Sequence, residues 1–323
     1  MIGPAVRLQS AEPQSRSGRF CPADYYYSPA VFARAPEIVA ETLYVVGGLY
    51  GNESALDAIE ALASAEPHEP RIVFNGDFHW FDAVPEWFAA IERRVLSHAA
   101  LRGNVETELA RARDVGAGCG CAYPEGVDDD TVERSNAILD ELRRAVPASA
   151  RTRLAKLPMH LTAQVGPLRV GIVHGDACAL AGWGFARERL DDARHRRRLT
   201  DIRRQAKIDV FASTHTCAAA QRDFELGSGR LTVINNGAAG MPNFQETHFG
   251  VLTRIATSPS PHTPLYGLER QGVHIDALPV HYDSAAFLDR FSARWPEGSP
   301  AHLSYRSRLE HGPSDFLEQA APS

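Results

Sequence analysis

Four short stretches carry residues able to do metal chemistry: GD at 76–77, GN at 103–104, HGD at 174–176 and THTC at 214–217. Each follows an apolar run. Together they offer an acid, an amide and two histidines: Asp77, Asn104, His174 and His215. Oxygen donors mixed with imidazoles suit a borderline first-row cation such as Mn, Fe or Zn. One GD dipeptide alone is ordinary turn chemistry, and one histidine after a strand is ordinary structure. The order of the set and its shared strand-end context give it weight. Glycines at 48, 76, 103 and 175 flank the same ends and let the backbone turn sharply there.

The elements that must hold these residues alternate. TLYVVGG, RIVFNGD and AALRGNVE read as short strands, with amphipathic helices ESALDAIEALASA and PEWFAAIERRVLSH between them. Pro85 is well placed to open the second helix. Strand–helix–strand order predicts an α/β sheet with parallel segments, whose ligands gather at the carboxyl ends of strands. Residues 114–160 break the alternation and read as a helical insertion over the site. LTAQVGPLRVGIVHGD then predicts a hairpin turning near Gly166-Pro167. KIDVFASTHTC, GRLTVINNGAAGMP and HFGVLTRIA supply further strands, the last the final clear core strand. The expected organisation is an N-terminal tail over 1–40 with an aromatic docking segment (CPADYYYSPAVF), a main domain over 41–257, and a C-terminal extension over 258–323 with one helix, SAAFLDRFSARW.

Composition narrows the function classes. The chain of 323 residues carries a formal net charge of -6, so no general basic field points to bulk nucleic acid. RHRRR at 194–198 sits among acids and reads as a solvated helix face, with a phosphate- or nucleic-acid-binding role as the alternative. No apolar run reaches the ~18 residues of a membrane span, and the N-terminus has no apolar signal-peptide core. Five cysteines, an odd number without framework spacing, point to a reducing compartment and a cytoplasmic protein. Cys119 and Cys121, a C-x-C without a second pair, read as ordinary free thiols.

At this point the chain resembles the calcineurin-like metallophosphoesterases, closest to their small bacterial phosphodiesterase and diadenosine-tetraphosphatase-like branch. The family motifs run D-x-H-G-N, G-D-x-x-D/G, G-N-H-D/E, H, G-H-x-H and N-P-G-S-x-G. Here they stand as GLYGN (48–52), GDFHWFD (76–82), GNVE (103–106), VHGD (173–176), THTC (214–217) and INNGAAGMP (234–242), within residues 42–256. The resemblance implies a four-layer α/β/β/α sandwich of two mixed sheets with two metals between them. It assigns one metal to positions that are Gly48, Tyr50 and Cys217 here. The other falls to Asn104, His174 and His215, with Asp77 bridging the two. One half-site has lost three ligands and the other none, and Val105 stands where the family carries a transition-state histidine.

The resulting expectation is hydrolysis of a small phosphate mono- or diester by water activated on one divalent or trivalent cation in preference to two. Asp77, Asn104, His174 and His215 are the ligands, with Cys217 as a further ligand. Tyr50, His79 or Glu106 assist proton transfer or positioning. Each of these helpers also has a plainer reading: Tyr50 as a packed side chain, Cys217 as a buried small residue, His79 as a loop or core histidine. The alternative function is a catalytically silent domain of the same shape that binds a phosphorylated ligand or a partner protein.

Overall fold

Alternation inside the short apolar runs decides the layering. In the computed structural model, which describes residues 17–322, Leu43 and Val45 of strand Thr42–Val46 face one core while Tyr44 and Val46 face another. Val73 against Ile72 and Phe74 repeats the pattern in the neighbouring strand. A strand sends successive side chains to opposite faces, so such runs must be covered on both sides.

Among the described residues twelve strands do this: β1 Ile38–Ala40, β2 Thr42–Val46, β3 Arg71–Asn75, β4 Ala99–Leu101, β5 His160–Val165, β6 Leu168–Val173, β7 Val210–Ser213, β8 Ala220–Leu226, β9 Gly229–Asn235, β10 Gly250–Ala256, β11 Tyr266–Arg270 and β12 Val273–Val280. They form two six-stranded mixed sheets, ordered β1-β5-β6-β7-β9-β8 and β11-β12-β10-β2-β3-β4. Pairs β2/β3, β3/β4, β6/β7 and β7/β9 are parallel. The core between the sheets is built from Leu43, Val45, Val73, Ile172, Ala212 and Ile255 among others.

Helices α1 Glu53–Ser64, α2 Pro85–Val95, α3 Asn104–Ala110, α4 Asp129–Ala145 and α5 Ala148–Leu154 come from the first half of the chain. Helices α6 Arg187–Asp191, α7 Arg196–Ala206, α8 Ser284–Arg294, α9 Pro300–His311 and α10 Leu317–Ala320 come from the second. α1, α2, α4, α8 and α9 cover the outer face of the second sheet through Leu56, Ile91, Leu139, Phe291 and Leu309. Leu199 and Ile202 of α7 cover the first sheet against Phe211 and Val233. The four-layer α/β/β/α sandwich expected from the sequence is therefore present. None of the described helices is long and apolar enough to cross a membrane.

β10 is not the last core strand. β12 pairs with it from Gly250↔Val280 to Ala256↔His274, and β11 adds the edge, so the second sheet continues past residue 257. Pro279 hid this strand in the sequence, because proline donates no ladder bond. It is tolerated because Leu265 N–H bonds Ala277 O on the outer side and β11 reaches no further. The missing donor at 279 falls on that same open side. The aromatic segment after residue 20 docks as expected, with Tyr25 and Phe32 fully buried. Residues 1–16 of the expected tail lie outside the described residues.

Candidate metal centre

The loops that leave β3, β4, β6 and β7 meet at one end of the sandwich. Buried amides stitch the two sheets there: Asn75 Nδ2 donates to Val173 O at 2.9 Å, and Asn236 Nδ2 to Gly47 O at 3.0 Å. Asp77 follows β3 in a left-handed conformation (φ 53°), and His215 follows β7 in another (φ 65°). Such backbone is costly for residues with a Cβ and clusters at functional sites. Asn104 opens α3 and His174 directly follows β6. All four side chains are buried.

Their hydrogen bonds fix which atoms face inward. His174 Nδ1–H donates to Asn75 O at 3.0 Å, so in the neutral ring Nε2 presents a lone pair. His215 Nε2–H donates to Cys121 O at 3.1 Å, leaving the lone pair on Nδ1. Asn104 Nδ2 donates to Cys119 O at 2.9 Å, so Oδ1 points the other way. The freed acceptors converge on His174 Nε2: Asn104 Oδ1 at 3.0 Å, His215 Nδ1 at 3.1 Å and Asp77 Oδ2 at 3.4 Å. Four lone pairs facing one another repel. A single proton on His174 cannot satisfy all of these contacts, whereas a cation satisfies all four at once. Backbone carbonyls hold the far side of His174, His215 and Asn104, and Val105 N–H donates to the other oxygen of Asp77 at 3.2 Å, which is the usual kind of support in a metal site. Burial, and then His174 beside it, push the pKa of His215 down to about 3, so this ring stays neutral as a ligand must.

Glu106 and His79 are held elsewhere. The Glu106 carboxylate accepts from the backbone N–H of Asp77 (2.9 Å), Phe78 (3.0 Å), His79 (3.3 Å) and Gly103 (2.8 Å). It ties the Asp77 loop to the Asn104 turn and does not line the cavity. His79 is fully buried, stacks on Phe88 at 3.6 Å, and bonds Asp82 through Nδ1 at 2.6 Å. The structure thus brings Asp77, Asn104, His174, His215, Tyr50 and Cys217 together and leaves His79 and Glu106 behind them.

A cavity of about 150 Å³ opens over these residues. Its walls are aromatic: Trp80, Tyr123, Trp183 and Tyr305. Arg308 adds one cation. Sequence reading missed Tyr305 and Arg308 because α9 lies in the extension, and missed Trp183 because no metal-type residue marks it. The insertion reaches the site through the loop before α4, which supplies Cys121 and Tyr123. Cys119 and Cys121 are a correction to the sequence reading, since their sulfurs pair as a disulfide rather than standing as free thiols. A sharp left-handed turn at Gly118 and Gly120 brings the two together.

By sequence the chain matches no family model and no curated protein. By structure it is similar to a metallophosphoesterase from Sphaerobacter thermophilus at 15% identity, covering 84% of this chain and 100% of that one with a TM-score of 0.53. It is also similar to a hypothetical protein from Pyrococcus horikoshii OT3 at 18% identity, covering 86% and 100% with a TM-score of 0.56. This chain has the calcineurin-like metallophosphoesterase fold.

Within that fold the first-motif half of the site is closed. Tyr50 (φ 56°) turns its ring back over Gly48, and a Cβ at 48 would stand 2.7 Å from the ring and 2.9 Å from the hydroxyl. The phenol hydroxyl lies 2.9 Å from Cys217 Sγ. Burial, and then Cys217, raise the Tyr50 pKa well above its ordinary value. Burial also raises that of Cys217. Both shifts favour the protonated forms, a neutral phenol beside a neutral thiol.

Proposed function

We propose that this chain hydrolyses a small phosphate mono- or diester at one Mn, Fe or Zn ion held by Asp77, Asn104, His174 and His215. The observation that carries the reading is the convergence of their four lone pairs on one point. When bound, such a cation polarises a phosphoryl oxygen and activates water. The chain's own residues do the rest. Arg308 gives the cavity positive charge to draw and orient the phosphate. Tyr50, a protonated phenol, donates a hydrogen bond and does not act as a base. Trp80, Tyr123, Trp183 and Tyr305 keep bulk water out, which strengthens every charge interaction inside. Val105 lines the same cavity and has no proton to give a leaving group.

The test is release of p-nitrophenol from mono- and bis-(p-nitrophenyl) phosphate, with metal content measured on the same samples. Turnover that requires added metal, together with about one bound ion, is expected. Both should vanish in Asp77→Ala, and an undiminished rate in that variant would end this mechanism.

The closed half-site favours a second reading, a catalytically silent domain that binds a phosphorylated ligand or a partner. It predicts a thermal shift with phosphorylated ligands and no turnover with any of the three metals.

A further inference from the structure

A second cavity, of about 680 Å³, lies beside the metal centre. The turn 176–184 forms its floor. The segment from Arg19 to Tyr26 forms one wall and the helical stretch 187–198 the other. Trp183 belongs to the walls of both cavities. Its indole N–H donates to Cys121 O at 3.0 Å, and its ring meets that of His215 at 5.4 Å.

The charges facing this cavity are unbalanced. Arginines close by in sequence are paired: Arg187 with Asp315, Arg194 with Asp192, Arg203 with Asp209. Arg189 and Arg198 line the cavity and make no ion pair with a carboxylate among the described residues. Arg198 bonds the thiol of Cys178 and lies within the field of the Asp176 carboxylate. Between them sits His195, whose Nε2 is buried without a hydrogen-bond partner. The acid of this cavity, Asp176, has its carboxylate taken up by the N–H groups of Cys178 (2.7 Å), Ala179 (3.0 Å) and Gly184 (2.8 Å). Arg19 is occupied with Asp129 and two carbonyls. Of the RHRRR run, then, Arg194 and Arg196 are bonded to Asp192 and to Glu225 O, while the half-buried His195 and the exposed Arg198 line this cavity.

Two guanidinium groups without a carboxylate ion pair and one imidazole nitrogen without a partner, in a polar hollow, suit an anion with several acceptor oxygens, which guanidinium binds in pairs. The volume fits a small ligand and not a single ion. We propose that this cavity binds a phosphorylated small molecule, held by Arg189, His195 and Arg198, at a site distinct from the metal centre. It stands whether or not the metal centre turns over.

The test is calorimetric titration of inorganic pyrophosphate into metal-loaded wild type, Asp77→Asn, and Arg189→Ala/Arg198→Ala, with circular dichroism confirming the fold of each. The expected result is a binding event present in wild type and in Asp77→Asn, weakened at least tenfold in the double arginine variant, whose metal content is unchanged. Binding lost in Asp77→Asn would put the pyrophosphate on the metal and overturn the proposal. So would unaltered affinity in the arginine variant, or no heat at millimolar pyrophosphate.

Discussion

The ring of Tyr50 occupies the space into which any side chain at Gly48 would project. The missing side chain at 48 is what leaves room for the phenol ring. Gly48→Asp alone is expected to cost about 1–3 kcal/mol by overpacking. Tyr50→His removes the obstructing phenol. The double variant should be more stable than the sum of the two single changes predicts, because neighbours couple. Urea midpoints of the four proteins give the coupling directly, and strict additivity would refute it.

Glu106 holds four backbone N–H groups and no site atom. Glu106→Gln turns one acceptor into a donor facing N–H groups, so the variant should lose about 1–3 kcal/mol. Its metal affinity should fall although every ligand is intact. Thermal melts and metal titration check both. A direct part in proton transfer would instead lower the rate and leave stability and metal affinity alone.

Val105 supplies no acid, so turnover should depend steeply on how good the leaving group is. Nitrophenyl esters are expected to react and alkyl esters to lag far behind. Val105→His should raise the rate for alkyl esters, toward the ~10²–10⁴-fold that a positioned acid contributes, and change nitrophenyl rates little. Rates across a leaving-group series measure the slope. A flat series in the wild type would show that another group already donates the proton.

Far from the site, Arg254 is fully buried and bonds Glu66 through Nε (2.6 Å) and Nη2 (3.0 Å), while Tyr44 donates to the same carboxylate at 2.7 Å. Arg254→Met leaves that carboxylate without its charge partner and should cost about 3–5 kcal/mol. Burial pushes the Glu66 pKa up, but Arg254 and Tyr44 outweigh it and hold the carboxyl below its ordinary value. The native pKa is therefore the lower one. Its contribution is complete above the unfolded value of about 4.3 and is lost as pH falls through the native value. Melting temperatures between pH 7 and pH 3 should show this component in wild type and not in Glu66→Gln.

The strands nearest the site were legible because their two faces are both apolar and their ends carry glycine: β2, β3 and β6 read directly. β8 (AQRDFEL) did not, because its exposed positions are charged and its pairing with β9 is a tertiary fact. The meeting of Asp77, Asn104, His174 and His215 was legible as a set, since strand-end loops in this kind of sheet must meet. That His79 and Glu106 stand behind the cavity was not legible, because sequence gives a residue's type but not which side of a loop it faces. Glu106 points at backbone donors and His79 at Phe88. Arg308 was out of reach altogether, lying 91 residues beyond the carbonyl of Cys217 that it grips.

That grip makes the cavity a joint product of two distant stretches of chain. Arg308 holds the carbonyls of Cys217 and Pro242, and Tyr305 lines the cavity beside them. Asp77, Asn104, His174 and His215 all precede residue 216, whereas these two wall residues come from α9. A change confined to α9 therefore alters the shape and charge of the cavity without touching any of those four residues.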